Sequence, residues 1–149
     1  MDSLYSRYAN ALLSIAIDEN KVEYYKNEIK MLRKVFLEDK DILHLLSSYF
    51  LLFEEKEKVI DKIYPNNENI QNFIKIIVKN KRVGSLIKIF DEFIKSCNEN
   101  MGVKDGIVYS ITELAPKEIS KIEEGISKKL NYKVELENIV DKIIIEKLI

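Results

Sequence analysis

Apolar positions in the first two-thirds of the chain recur at helical spacing, and the first such stretch carries more of them than one face needs. In Ser3–Ile17, Tyr5, Ala9, Leu12 and Ala16 form one stripe, while Leu4, Tyr8, Ala11 and Ile15 form a second, rotated by about 100°. A helix lying on a core needs only one stripe. The second is either covered by another helix of the same chain or left open to a partner.

The same grammar continues. Val22 to about Leu37 predicts a second helix, Lys40–Ser47 a short third, and Glu54–Ile63 a fourth that the turn "YPNNEN" stops. A fifth is read over Glu68–Asn80. The β-branched residues of "NFIKIIVK" there would also suit a strand, but the segment sits among helices and repeats the two-stripe habit: Ile70, Phe73 and Ile77 on one side, Asn69, Asn72, Ile76 and Lys79 on the other. The sixth, about Val83–Glu99, has the cleanest period, with Val83, Leu86, Ile87, Phe90, Phe93 and Ile94 forming a core-facing stripe.

If the first and fifth helices lie side by side, their second stripes make one groove. Ala11, Ile15 and Ile76 would be its apolar floor and Asn72 and Lys79 its polar lips, a shape suited to an amphipathic helix from a partner. Alternatively, one or both helices are central and covered on two sides. The alanines at 9, 11 and 16 allow close helix approach under either reading.

After "NENMGVKDG" the period changes. Ile107–Leu114 reads as a strand, "APKEISKIEEGISKKL" as a helix with Pro116 in its first turn, and Tyr132, Val134 and Leu136 alternate with charged residues as a second strand. The boundary is placed near Met101–Gly106, where two of the four glycines lie. The fold class is therefore mainly α: a six-helix bundle over residues 1–102, then a small α/β (strand–helix–strand) domain over 103–149.

Composition narrows the chemistry. The chain has 149 residues, 46% hydrophobic and 33% charged, enough for a core without disulfide support. Twenty-four basic residues against 25 acidic ones leave a formal charge of −1, so no global field draws it to nucleic acid or an anionic membrane. Locally, Gln71–Lys95 is basic, through Lys75, Lys79, Lys81, Arg82, Lys88 and Lys95 against Asp91 and Glu92. A solvated helix face is the plain reading of that run; a helical adaptor or nucleic-acid-binding module using the 75–82 segment is the alternative.

Cys97 is the lone cysteine and His44 the lone histidine, so none of the usual Cys/His zinc sets can be assembled, and neither a Cys–His nor a Ser–His–Asp arrangement finds support around His44. Four scattered glycines cannot build a phosphate-cradling loop. The acids of "FEEKEK" read as solvated charge. No catalytic residue, cofactor or metal is expected, no apolar run reaches the length of a membrane span, and the opening "MDSLYSRYAN" lacks signal-peptide grammar, which points to the cytoplasm.

Three stretches resemble the delta subunit family of the rotary F-type ATP synthase, whose mitochondrial relative is the oligomycin-sensitivity conferring protein. "RYANALLSIAIDENKVEYY" at Arg7–Tyr25 is similar to the family's Tyr-Ala-x-Ala-Leu opening helix. "NFIKIIVKNKRVGSLIKIFDEF" at Asn72–Phe93 resembles its Asn-Phe-Leu-x-Leu-Leu segment, Asn-x-Arg break and following helix. "GIVYSITELAPKEISKIEEGISKKLNYKVELENIVD" at Gly106–Asp141 follows its strand, helix start and Lys-Val strand running into Val-Asp.

The resemblance implies a non-catalytic stator component. Its six-helix domain would receive the N-terminal helix of an alpha subunit between the first and fifth helices, and its second domain would meet the b subunits of the peripheral stalk. The implied alpha-binding positions are Tyr8, Ala11, Asn72 and Ile76, on the second stripes; Leu4, Ile15 and Lys79 extend the same groove. Nucleic acid would play no part. The membrane would be reached only through the complex, on the inner face of a bacterial plasma membrane. The end of the chain departs from the family: "VDKIIIEKLI" has Glu146 and Lys147 where two glycines are usual, and the family's further residues do not follow, which implies an incomplete α/β domain.

Overall fold

The computed structural model describes residues 3–141. The final "KIIIEKLI", with Glu146 and Lys147, lies outside the described residues, as do Met1 and Asp2. The chain is mainly helical with a small two-stranded parallel sheet.

Six α-helices precede the first strand: α1 (Leu4–Asp18), α2 (Val22–Glu38), α3 (Lys40–Ser47), α4 (Phe53–Ile63), α5 (Glu68–Lys79) and α6 (Leu86–Met101). Their starts follow local chemistry. Ser3 caps α1 by accepting from the Ser6 amide, and Asn67 caps α5 by accepting from the amides of Asn69 and Ile70 at 2.8 and 3.2 Å. Replacing Asn67 with Ala is expected to cost about 1 kcal/mol of stability, read as a lower denaturant midpoint with unchanged slope; no shift would mean that solvent satisfies those amides equally well. The sixth segment starts differently from its sequence reading. Val83–Ser85 form a tight 3₁₀ turn and the α-helix begins at Leu86.

Contacts divide the chain into two compact units, residues 1–97 and 98–149. In the first, the core is apolar and aromatic: Leu12, Ile29, Leu32, Phe36, Ile70, Ile77, Ile89, Phe90 and Phe93 are all buried. Phe90 sits at its centre, with the ring of Phe36 6.0 Å away and that of Phe73 6.4 Å away. The expected stripe of α1 is buried at Ala9, Leu12 and Ala16, while Tyr5 is half-buried under the Lys88 ammonium.

Helix α5 packs against α1 on one side and α4 on the other, and so buries Ile74 and Val78 beyond the three residues its main stripe predicts. Polar links fix the arrangement. Lys75 on α5 reaches Asp61 on α4 at 2.8 Å, and Asn80 donates to the Tyr8 hydroxyl on α1 at 2.7 Å. Tyr25 on α2 donates to Glu19 at 2.7 Å, and Asn69 donates to both. Cys97 is fully buried, and burial pushes its thiol up to about 12 against the opposing effect of Lys26. It is a packing residue, not a nucleophile.

In the second unit, β1 (Val103–Ser110) and β2 (Lys133–Val140) run parallel with Val103 opposite Lys133, joined by α7 (Pro116–Leu130). A helical crossover is what a parallel pair requires. Here the first strand corrects the sequence reading: it starts at Val103, not Ile107, and ends at Ser110, not Leu114. Only Gly102, in the left-handed region at φ +67°, belongs to the break between helix and strand. Gly106 lies within β1, where a Cβ would come within 2.8 Å of the Leu136 side chain, so this glycine marks close strand packing rather than a linker.

Side chains of α7 complete β2. Ser127 accepts from the Val134 amide at 3.0 Å, Glu123 from the Leu136 amide at 2.8 Å, and Asn138 ties the loop after β1 by accepting from the Leu114 amide. Asn138 also donates across to β1, to the Val108 carbonyl at 3.1 Å and the Ser110 hydroxyl at 2.9 Å, which pins the register of a two-stranded sheet that alternation alone leaves loosely specified.

Candidate helix-docking groove

The pairing of α1 with α5 brings parts of both second stripes to the surface. Leu4, Arg7, Tyr8 and Ala11 from α1, with Phe73 and Ile76 from α5, line an open cavity of about 380 Å³. Its walls are nearly all apolar. Ala11 is exposed, Ile76 is 52% exposed, and Leu4 and Tyr8 are half-buried.

An alanine at position 11 leaves room between the two helices, and the hydrogen bond from Asn80 holds the Tyr8 ring against the α5 side. Phe73 is buried and forms the back of the cavity. An apolar cleft between two helices is the kind of surface that helix-in-groove recognition uses.

Of the seven residues expected at the groove, the structure brings Leu4, Tyr8, Ala11 and Ile76 together. Ile15, one turn beyond Ala11, and Asn72, one turn before Ile76, are exposed on the same stripes without lining the cavity. Lys79 is placed elsewhere. Its ammonium stands 5.9 Å from the Phe53 ring centroid on α4, and it lines a different cavity.

Sequence reasoning missed two members. Arg7 lies four residues before Ala11, so it shares that face, and its exposed guanidinium places a positive charge at the groove edge. Phe73 belongs to the inner stripe, yet its ring is large enough to reach the floor between the two faces.

The basic 75–82 segment does not form one free patch. Lys75 is ion-paired with Asp61 and lies near Glu57, and Lys79 leans on Phe53, which leaves Lys81 and Arg82 exposed at the turn after α5. Among the described residues no cluster of His, Cys, Asp or Glu could hold a metal ion, and no helix is long and apolar enough to cross a membrane.

Known proteins resemble this chain over nearly its whole length. The family model described as ATP synthase delta (OSCP) subunit matches residues 4–146. ATP synthase subunit delta of Mycoplasma mobile is 36% identical over 141 residues, covering 93% of this chain and 78% of the relative. That of Enterococcus hirae is 31% identical over 141 residues, with coverage of 93% and 78%. In fold, the chain matches one in the Toxoplasma gondii mitochondrial ATP synthase hexamer at a TM-score of 0.68 and 17% identity, covering 94% of this chain and 78% of that one. With a family match across residues 4–146 and a relative at 36% identity, the chain belongs to the ATP synthase delta (OSCP) subunit family.

Proposed function

We propose that the chain works as the delta subunit of an F-type ATP synthase, a non-catalytic stator part that links the catalytic head to the peripheral stalk. The six helices of residues 1–102 act as one bundle that receives the N-terminal helix of an alpha subunit in the α1–α5 groove. The α/β unit over 103–149 faces the b subunits of the stalk. Attachment of the protein to the membrane is indirect, through the complex, at the inner face of a bacterial plasma membrane.

The observation that carries this reading is the apolar cavity between α1 and α5, open to solvent in a chain of this family. Leu4, Tyr8, Ala11 and Ile76 supply its contact surface, with Ile15 and Asn72 along its extension, while Lys79 stands outside it against Phe53. The work of a stator is to resist torque, not to make or break bonds. A helix-in-groove contact of roughly 1,500 Å² reaches nanomolar affinity when its anchors are well packed, and a second attachment at the stalk multiplies its effective strength.

Calorimetric titration of the full chain with a peptide of the alpha subunit's N-terminal helix from the same organism tests the assignment. Saturable one-to-one binding that changes little between 50 and 200 mM salt is expected. No binding by a folded chain, or steep salt-dependent binding to nucleic acid, would overturn it in favour of an adaptor role.

A further inference from the structure

The turn between α3 and α4 presents its apolar side chains outward. Tyr49 is 93% exposed, Phe50 98% and Leu52 65%, more than any other large apolar residue among those described. Leaving such side chains in water forgoes the stabilisation that burial would bring. Beside them lies a second cavity, of about 420 Å³, whose apolar wall includes Leu51, Phe53, Val78 and Val83. Among the described residues three lysines line it, Lys56 from α4, Lys79 from α5 and Lys81 from the turn that follows, and no acidic side chain does.

Lys79 is held against the Phe53 ring, which sets its ammonium at the cavity wall. Lys81 occupies a left-handed backbone conformation, φ +59°, which fixes where its side chain leaves the turn. The charge is therefore arranged around a concavity by three separate elements.

We propose that this cavity docks an acidic amphipathic segment of another synthase subunit. An apolar side chain of that segment enters between Phe53 and Val83, its carboxylates meet Lys56, Lys79 and Lys81, and Tyr49 and Phe50 close over its apolar side. Charge complementarity selects the occupant: an apolar floor ringed by three cations favours a negatively charged partner and repels a basic one.

The proposal rests on the chain being a subunit of the synthase but not on the α1–α5 groove, whose lining shares no residue with this cavity. To test it, Phe50 is replaced by a photoreactive benzoyl-phenylalanine in the assembled synthase, the complex is irradiated, and the crosslinked segment is mapped by mass spectrometry. The expected product joins position 50 to a segment of another subunit with an excess of carboxylates and apolar residues at helical spacing. The double variant Lys56→Glu, Lys81→Glu should lower the yield about tenfold, and acid-to-lysine exchange in the mapped segment should restore it. Titration with the alpha peptide should be unchanged by the double variant.

Crosslinks to lipid, to a second copy of this chain or to a segment without excess negative charge overturn the proposal, as does a yield insensitive to charge reversal. Absence of crosslinks from an intact complex does the same. Absence of the chain from the purified synthase overturns both this proposal and the stator reading, whereas its presence without the expected product overturns the cavity alone.

Discussion

Replacing Ile76 by Asp is expected to weaken binding of the alpha-subunit helix at least about 100-fold while leaving the chain folded. Ile76 lines the groove and is half-exposed when the groove is empty, so a partner helix would cover it completely. An aspartate there would be stripped of water by the docked helix, with the Arg7 guanidinium at the groove edge as the one basic group lining the cavity among the described residues. The loss of an apolar anchor, about 1–2 kcal/mol, adds to the desolvation of a carboxylate, and each 1.4 kcal/mol is tenfold in affinity.

Folding should tolerate the same change. The exposed Ile76 contributes little burial to the free chain, and the helix propensity difference is only a few tenths of a kcal/mol. Aspartate near the C-terminal end of α5 adds a small unfavourable dipole interaction of similar size. Ala11→Asp, exposed on the opposite wall, should behave alike. Titration with the alpha peptide, paired with circular dichroism of each variant, separates the outcomes. Retained affinity would remove the groove as the docking site, and a lost helical signal would show these positions to be core.

Phe90→Ala is expected to destabilise the helical unit by about 3–5 kcal/mol, a large share of the roughly 5–15 kcal/mol that holds a domain of this size together. Phe90 is fully buried between Phe36 on α2 and Phe73 on α5, so truncation leaves a cavity bordered by three helices that cannot all collapse into it. Phe50→Ala provides the contrast. With 98% of its surface in water, Phe50 should change stability by less than about 0.5 kcal/mol. Urea unfolding of both variants reads the difference directly. A loss below about 1 kcal/mol at Phe90 would mean that the centre of the core lies elsewhere.

The two phenylalanines also show where sequence reading reaches its limit. Phe90 falls in a six-residue stripe at perfect helical spacing, and its burial was legible from that alone. Phe50 sits in a short apolar run between two helices, where no period operates. Nothing local says whether such a run is tucked under the bundle or turned outward. Likewise Gly102 and Gly106 look equivalent in sequence, yet one ends a helix through its positive φ and the other lets two strands approach. The misplacement of β1 by four residues followed from treating both as linker.

At the candidate groove, the two offset stripes of α1 and α5 were readable because helical period reports which residues share a face. The period cannot report which of those faces another helix covers. Burial of Ile74 and Val78, exposure of Ala11 and Ile76, and the swing of Lys79 toward Phe53 all follow from α5 lying between α1 and α4.

The sequence by itself determined the helices, the change to strand–helix–strand, the absence of catalytic motifs and the existence of surplus apolar faces, since each is encoded in residues within a few positions of one another. Only the tertiary structure decided which surplus face becomes a groove, where the lysines gather and how the strands register. Those outcomes depend on contacts such as Tyr8 with Asn80 and Gly106 with Leu136, between segments far apart in the chain, where local periodicity carries no information.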